Sequence, residues 1–110
     1  MKIFSWNVNG IRAAQKKGFL DFVNKYNPDI LCLQETKAEL SQLDDGLINI
    51  SGYNSYFESC KIKKGYSGVA IYSKFIPINQ SCSLGSDKIF DVEGRNQIFE
   101  FDKFYLLNFY

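Results

Sequence analysis

Two short apolar runs, each ended by polar residues and separated by one amphipathic segment, constrain the fold most strongly. The runs Lys2–Asn7 and Asp29–Glu35 are typical of buried strands. The segment Ile11–Tyr26 has apolar residues at helical spacing, with a possible break at Gly18, and Pro28 marks its end. A strand, a helix and a second strand predict a parallel β–α–β unit, in which both strands end at the same edge of the sheet.

The rest of the chain predicts one weaker helix and several short strands. Ser41–Ile50 is the helix, with Ser41 as a candidate cap and two aspartates in its first turn. Asp102 and Lys103 form a short link between the last two predicted strands, which favours an antiparallel hairpin. The predicted strands are Tyr53–Glu58, Gly68–Ser73, Gln97–Phe101 and Phe104–Tyr110.

Composition predicts a folded interior without a strong overall charge. The 110 residues are 45% hydrophobic and 16% aromatic, and the net charge is +1, so nucleic-acid binding would depend on local basic patches. Three separated cysteines and the lack of a recognisable export signal favour a cytoplasmic protein with reduced thiols. No apolar run reaches the roughly 18 residues of a membrane span, so we expect no membrane association.

Polar residues follow both strands of the predicted unit, and they indicate a cation site. Neighbouring strands lie about 4.8 Å apart, so the Asn7 carboxamide and the Glu35 carboxylate can converge at the shared edge. The chain has no histidine, and oxygen donors suit Mg²⁺, or Mn²⁺, better than zinc. Alternatively, Glu35 is a solvated residue at a strand end, and Asn7 and Asn9 are turn formers before Gly10.

Four segments, in this order, resemble exonuclease III-type apurinic/apyrimidinic (AP) endonucleases, a branch of the endonuclease/exonuclease/phosphatase superfamily. They are Ser5–Ala13, Pro28–Lys37, Gly65–Val69 and Glu93–Arg95. The resemblance covers the whole chain. It implies an α/β fold, the front half of a four-layer sandwich with mixed β-sheets. It further implies a Mg²⁺-dependent phosphodiesterase that cleaves double-stranded DNA at abasic sites, with possible 3′-exonuclease activity.

The resemblance also assigns roles to individual residues. Glu35 is the main metal ligand of this half of the site, and Asn7 ligates the metal or orients another acidic group. The share of Asn9 in the metal shell stays open. Tyr110 matches a tyrosine that handles the attacked phosphate. The residues in segments resembling DNA-contacting loops are Arg12, Tyr66 and Arg95.

The family's second half carries a Gly-Asp-x-Asn motif and a Ser-Asp-His motif, and neither occurs in these 110 residues. We therefore expect a partial domain with its C-terminal half absent, and little or no nuclease activity from this chain alone. One alternative is a non-catalytic fragment or DNA-binding remnant. A second is a superfamily phosphatase that acts on a phospholipid or a nucleotide. The residues suggest no protein partner.

Overall fold

Helices and strands alternate in the first third of the chain, and short strands dominate afterwards. The computed structural model describes residues 1–85 and 91–110. The elements with bounds inside those ranges are, in chain order, β1 (Ile3–Asn7), α1 (Ile11–Lys16), α2 (Phe19–Tyr26), β2 (Ile30–Gln34), a 3₁₀ helix (Leu40–Gln42), α3 (Asp45–Ile48), β3 (Asn54–Glu58), β4 (Val69–Ser73), β5 (Asn79–Ser81), β6 (Asn96–Glu100) and β7 (Tyr105–Phe109).

The strands form two sheets. The first has the order β1-β2-β4-β3, with β1 and β2 parallel and the other pairs antiparallel. The second has the order β5-β6-β7 and is antiparallel, so the predicted hairpin between the last two strands is confirmed. The parallel β–α–β unit is also confirmed, because α1 and α2 connect β1 to β2. The predicted α/β class with a mixed sheet is therefore correct.

The interior lies on both faces of the first sheet. On β2, Leu31 and Leu33 pack with the helices, whereas Ile30 and Cys32 pack against Phe99 of the second sheet. These four side chains of β2 are at most 5% exposed, so the strand is buried on both faces and the prediction of a buried strand is correct. Helices, first sheet and second sheet make three successive layers of the expected sandwich.

The strand β1 differs from its prediction. Phe4 and Trp6 pack on the helical side, but Ile3, Ser5 and Asn7 on the other side are exposed. The prediction of a buried strand therefore holds only for the helical face of β1. The reason is that the second sheet does not cover this face, since no β1 side chain belongs to the apolar cluster between the two sheets. Its exposed side leaves Asn7 accessible at the end of the strand.

The helical segment is divided at a glycine and ends before a proline. Gly18 adopts φ +102°, a conformation that favours glycine, and α1 and α2 lie on either side of it. Asn27 ends α2 in the left-handed conformation and donates its backbone N–H to the Val23 carbonyl. Pro28 follows directly, so the predicted break and the predicted end are both confirmed.

The predicted helix over 41–50 is wrong. The segment forms a 3₁₀ helix and the four-residue α3 instead. Asp44, not Ser41, caps α3, because its side chain accepts the Leu47 N–H at 3.1 Å. The strand β5 was not predicted, since its three exposed polar residues give no apolar signal.

The two sheets are joined by a buried amide network. Asn108 on β7 is 2% exposed, and its Nδ2 donates to the backbone carbonyl oxygens of Leu33 and Ala70, both at 3.1 Å. Its Oδ1 accepts from Gln34 Nε2 at 2.8 Å. These bonds fix β7 against β2 and β4, and so place the residue that ends the chain, Tyr110, beside the end of β2.

One face of β7 is exposed. Tyr105, Leu107 and Phe109 are 67%, 54% and 48% exposed. The described residues place no layer outside the second sheet, so this face of β7 is uncovered. Within residues 1–85 and 91–110, no helix combines the length and the apolar character that crossing a membrane requires.

Candidate active site

The loops after β1 and β2 are joined through their backbones. Gly10 N–H donates to the Glu35 carbonyl at 2.7 Å, and Ile11 N–H donates to the Thr36 carbonyl at 2.9 Å. The parallel pairing of β1 and β2 brings both loops to the same edge of the sheet. The start of α1 is therefore fixed against the segment that carries Glu35.

The loop before β4 is joined to the same segment. The backbone N–H groups of Thr36 and Lys37 donate to the carbonyls of Gly68 and Ser67 at 3.0 and 2.8 Å. Gly68 N–H in turn donates to the Gly94 carbonyl at 3.0 Å. The four segments that carry the sequence resemblance thus meet at one place in the fold.

Glu35 lies at the centre of this edge, and both of its carboxylate oxygens have partners. Asn7 Nδ2 donates to Oε1 at 3.2 Å, and Lys37 Nζ lies 3.1 Å from Oε2. Glu35 itself has φ +59°, a left-handed conformation that the surrounding backbone bonds hold. The predicted convergence of Asn7 and Glu35 is thus observed as a direct contact.

The two asparagines have distinct positions. Asn7 Oδ1 accepts the backbone N–H of Asn9 at 2.9 Å, which fixes the carboxamide so that its NH₂ group faces Glu35. Asn9 Oδ1 accepts from Lys37 Nζ at 2.7 Å. Asn7 therefore orients the Glu35 carboxylate, while Asn9 and Glu35 both contact the Lys37 ammonium group.

These contacts favour the ionised form of Glu35. Hydrogen bonds from Lys37 first, and then from Asn7, hold the pKa of its carboxyl below the ordinary value, while partial desolvation opposes them. The neighbouring Tyr110 hydroxyl contributes to the lowered pKa of Glu35 as well. For the Tyr110 phenol, desolvation and the neighbouring Glu35 carboxylate raise the pKa, so it stays a proton donor beside an anion.

Arg95 lies between two aromatic rings. Its guanidinium carbon is 5.5 Å from the centroid of the Tyr66 ring and 5.2 Å from that of Tyr110. It also donates to the Tyr66 hydroxyl at 2.8 Å and pairs with Glu93 at 3.6 Å. Arg95 thereby holds the side chains of Tyr66 and Tyr110 together.

Arg12 lies on α1, next to the loop that carries Glu35. It is exposed and donates to the Lys37 carbonyl at 3.1 Å. A cavity of about 400 Å³ opens beside it, and its lining residues are Asn9, Gly10, Arg12, Ala13, Lys16 and Lys37. The cavity presents three cations and no carboxylate, which suits an anionic ligand.

The donor chemistry at Glu35 fits a hard divalent cation held largely by water. A carboxylate and neighbouring carboxamide oxygens are the ligand types that Mg²⁺ and Mn²⁺ prefer. The Lys37 ammonium already holds a positive charge against the oxygens of Glu35 and Asn9. Among residues 1–85 and 91–110, no group of three or more His, Cys, Asp or Glu side chains gathers that could hold a metal ion.

The sequence pattern assigns no site role to Lys37, or to the amide side chains of Asn108 and Gln34. Lys37 follows Glu35 by two residues, a spacing that in a strand would place both side chains on one face. The left-handed conformations of Glu35 and Lys37, φ +59° and +54°, are tertiary features without a sequence signal. The apolar residues around Asn108 indicate a buried polar group. Its hydrogen-bond partners lie about 40 and 75 residues away in the chain, so no local pattern identifies them.

Comparison with known proteins assigns the chain to a family. Residues 4–110 match the Endonuclease/Exonuclease/phosphatase family. The chain is 46% identical over 110 residues to Recombination repair protein 1 of Drosophila melanogaster, and 44% identical over 111 residues to DNA repair nuclease APEX1 of Danio rerio. The chain therefore belongs to the endonuclease/exonuclease/phosphatase family, as the sequence resemblance predicted.

A solved structure agrees with this assignment. An AP endonuclease from Archaeoglobus fulgidus superposes on the whole chain with a TM-score of 0.79 and 32% identity. The chain is covered completely in all three comparisons, but it spans 16% of the Drosophila protein, 36% of the Danio protein and 40% of the Archaeoglobus chain. These residues thus correspond to less than half the length of each relative.

Proposed function

We propose that these residues form the cation-anchoring and DNA-contacting part of a Mg²⁺-dependent DNA-repair phosphodiesterase. Its substrate would be double-stranded DNA with an abasic site, and 3′-exonuclease activity would accompany incision. The observation that carries the proposal is the gathering of an oriented carboxylate, a phenol and arginines at one sheet edge, around Glu35. The names of the Danio and Archaeoglobus relatives, a DNA repair nuclease and an AP endonuclease, support the choice of substrate.

The residues divide the chemistry among them. Glu35 anchors the cation, and Asn7 keeps the carboxylate oriented through its amide donor. Bound Mg²⁺ would supply positive charge for a phosphate oxygen. Tyr110, with a pKa raised by desolvation and Glu35, keeps its proton and donates to the phosphate. Arg95 positions the two tyrosine rings, and Arg12 provides a planar donor group for the DNA backbone.

We expect little or no nuclease activity from the 110 residues alone. They contain no histidine and neither of the two motifs that supply the family's remaining acidic groups and asparagine. The repair relatives favour this function over a phospholipid or nucleotide phosphatase. The cytoplasm is the proposed compartment, in keeping with three free cysteines.

DNA binding tests the proposed interface without requiring catalysis. We expect the chain to bind a duplex with a central abasic analogue, and the affinity to fall steeply between about 50 and 200 mM salt. Arg12→Gln should weaken binding and lower the salt slope by about one. The matched control is Lys25→Gln, in the last turn of α2 at the opposite end of the β–α–β unit. The proposed interface would be contradicted if Arg12→Gln bound the duplex as tightly as Lys25→Gln. It would also be contradicted if the affinity of the unchanged chain did not depend on salt.

A further inference from the structure

The Lys37 ammonium lies between an oxygen of Glu35 and an oxygen of Asn9, where a cation bound through both oxygens would also lie. Its Nζ lies 3.1 Å from Glu35 Oε2 and 2.7 Å from Asn9 Oδ1. Mg²⁺ requires oxygen ligands at about 2.0–2.1 Å and arranges them octahedrally. An ammonium and a metal ion cannot occupy the space between the same two oxygens. One must leave when the other binds.

The backbone fixes the base of the Lys37 side chain but leaves its end free. Lys37 N–H donates to the Ser67 carbonyl at 2.8 Å, and its carbonyl accepts from Arg12 at 3.1 Å. By contrast, the Lys37 side chain is 40% exposed, whereas that of Glu35 is 19% exposed. The flexible four-carbon stem can therefore move the ammonium into solvent while the Glu35 carboxylate stays in place.

We propose that Lys37 is an internal counter-cation, which holds Glu35 and Asn9 in place without metal and is displaced when a divalent cation binds. This inference rests on the proposed cation site at Glu35. Lys37 acts through the other residues, so it is a positioning residue. Its ammonium neutralises the carboxylate and weakens cation binding by competition.

Mn²⁺ affinity, measured by electron paramagnetic resonance of the free ion, tests the inference without an activity assay. We expect Lys37→Met to tighten Mn²⁺ binding by about tenfold, since a competing charged hydrogen bond is removed. Lys37→Arg keeps the positive charge and the reach, so it should bind Mn²⁺ about as weakly as the unchanged chain. Lys37→Gln serves as a second neutral variant if Lys37→Met does not fold.

The matched control is Lys16→Met, which removes a cation from the same cavity without a contact to Glu35. We expect the Mn²⁺ affinity of this control to change by less than about twofold. That result would show that the gain in Lys37→Met comes from removing the competing ammonium and not from a general loss of positive charge. An equal gain in Lys16→Met and Lys37→Met would overturn the inference.

Glu35→Gln separates the failure of this inference from the failure of the proposed function. Mn²⁺ binding that is lost in Glu35→Gln but unchanged or weaker in Lys37→Met would overturn the role of Lys37 alone. Binding that persists in Glu35→Gln would overturn Glu35 as the anchor, and with it the role of Lys37. No binding in either the unchanged chain or Lys37→Met would likewise overturn both.

Discussion

At the scale of single residues, the Glu35 carboxylate is surrounded by three chemically different groups. Asn7 contributes a neutral amide, Lys37 a positive charge and Tyr110 a phenol. The carboxylate is therefore ionised and oriented before any ligand arrives, which lowers the reorganisation that binding requires. The same contacts make its contribution to stability depend on pH.

We predict that the stability difference between the unchanged chain and Glu35→Gln disappears in acid. The pKa of Glu35 in the folded chain lies below the ordinary value for a glutamate, chiefly because of the Lys37 hydrogen bond. The unfolded chain thus takes up the proton first as pH falls. The stabilisation is complete above about pH 5 and is lost as pH drops through the folded value. Thermal unfolding midpoints between about pH 3 and 7 measure it, and a difference that grows in acid would contradict the assignment.

The sequence anticipated the position of Glu35 because strand spacing and parallel pairing are local rules. Two neighbouring parallel strands bring their ends together whatever follows them, so the contact between Asn7 and Glu35 follows from the apolar pattern. The contact of Lys37 with Glu35 depends instead on two left-handed residues, which are held by backbone hydrogen bonds to the Gly68 and Ser67 carbonyls. No local pattern encodes that geometry.

At the scale of elements, the loop before β4 supports the loop that carries Glu35. Gly68 has φ +93°, and a Cβ there would lie 2.2 Å from Thr36 Oγ1. Thr36 is 1% exposed, so it has little room to move away. The close approach of the two loops therefore requires glycine at position 68.

We predict that Gly68→Ala destabilises the chain by about 2–4 kcal/mol, through the left-handed backbone and the contact with Thr36. Gly65→Ala is the matched control, because Gly65 has φ +71° but nothing lies within 4 Å of its Cβ position. It should cost about 1 kcal/mol. Urea unfolding measures both free energies. Equal losses in the two variants would show that the contact with Thr36 is unimportant.

Element boundaries were predictable where glycine or proline marked them, and not elsewhere. Gly18 and Pro28 divided and ended the helical segment as expected. Within 41–50 the polar residues satisfied helix rules, but Asp44 begins a separate short helix that buries only Leu47. The number of apolar contacts, rather than the presence of a cap, decided the length of this helix.

At the scale of the whole molecule, the first sheet is covered on both faces, whereas the second sheet is covered on only one. The first sheet is covered by helices on one face and by the second sheet on the other. The second sheet leaves Tyr105, Leu107 and Phe109 exposed. Because the relatives are at least about twice as long as the matched residues, the proposed activity belongs to a protein of their length.

The proposed activity depends on Glu35 as the anchor of the cation for incision of abasic DNA. Its most direct test is a chimera, in which residues 1–110 replace the matching segment of the Danio relative. Mg²⁺-dependent incision of a labelled duplex with one abasic analogue is then measured. We predict incision by the chimera, none by residues 1–110 alone, a loss of about 100-fold or more in Glu35→Gln, and no loss in the control Asp102→Asn. Undiminished incision by the Glu35→Gln chimera would contradict the claim.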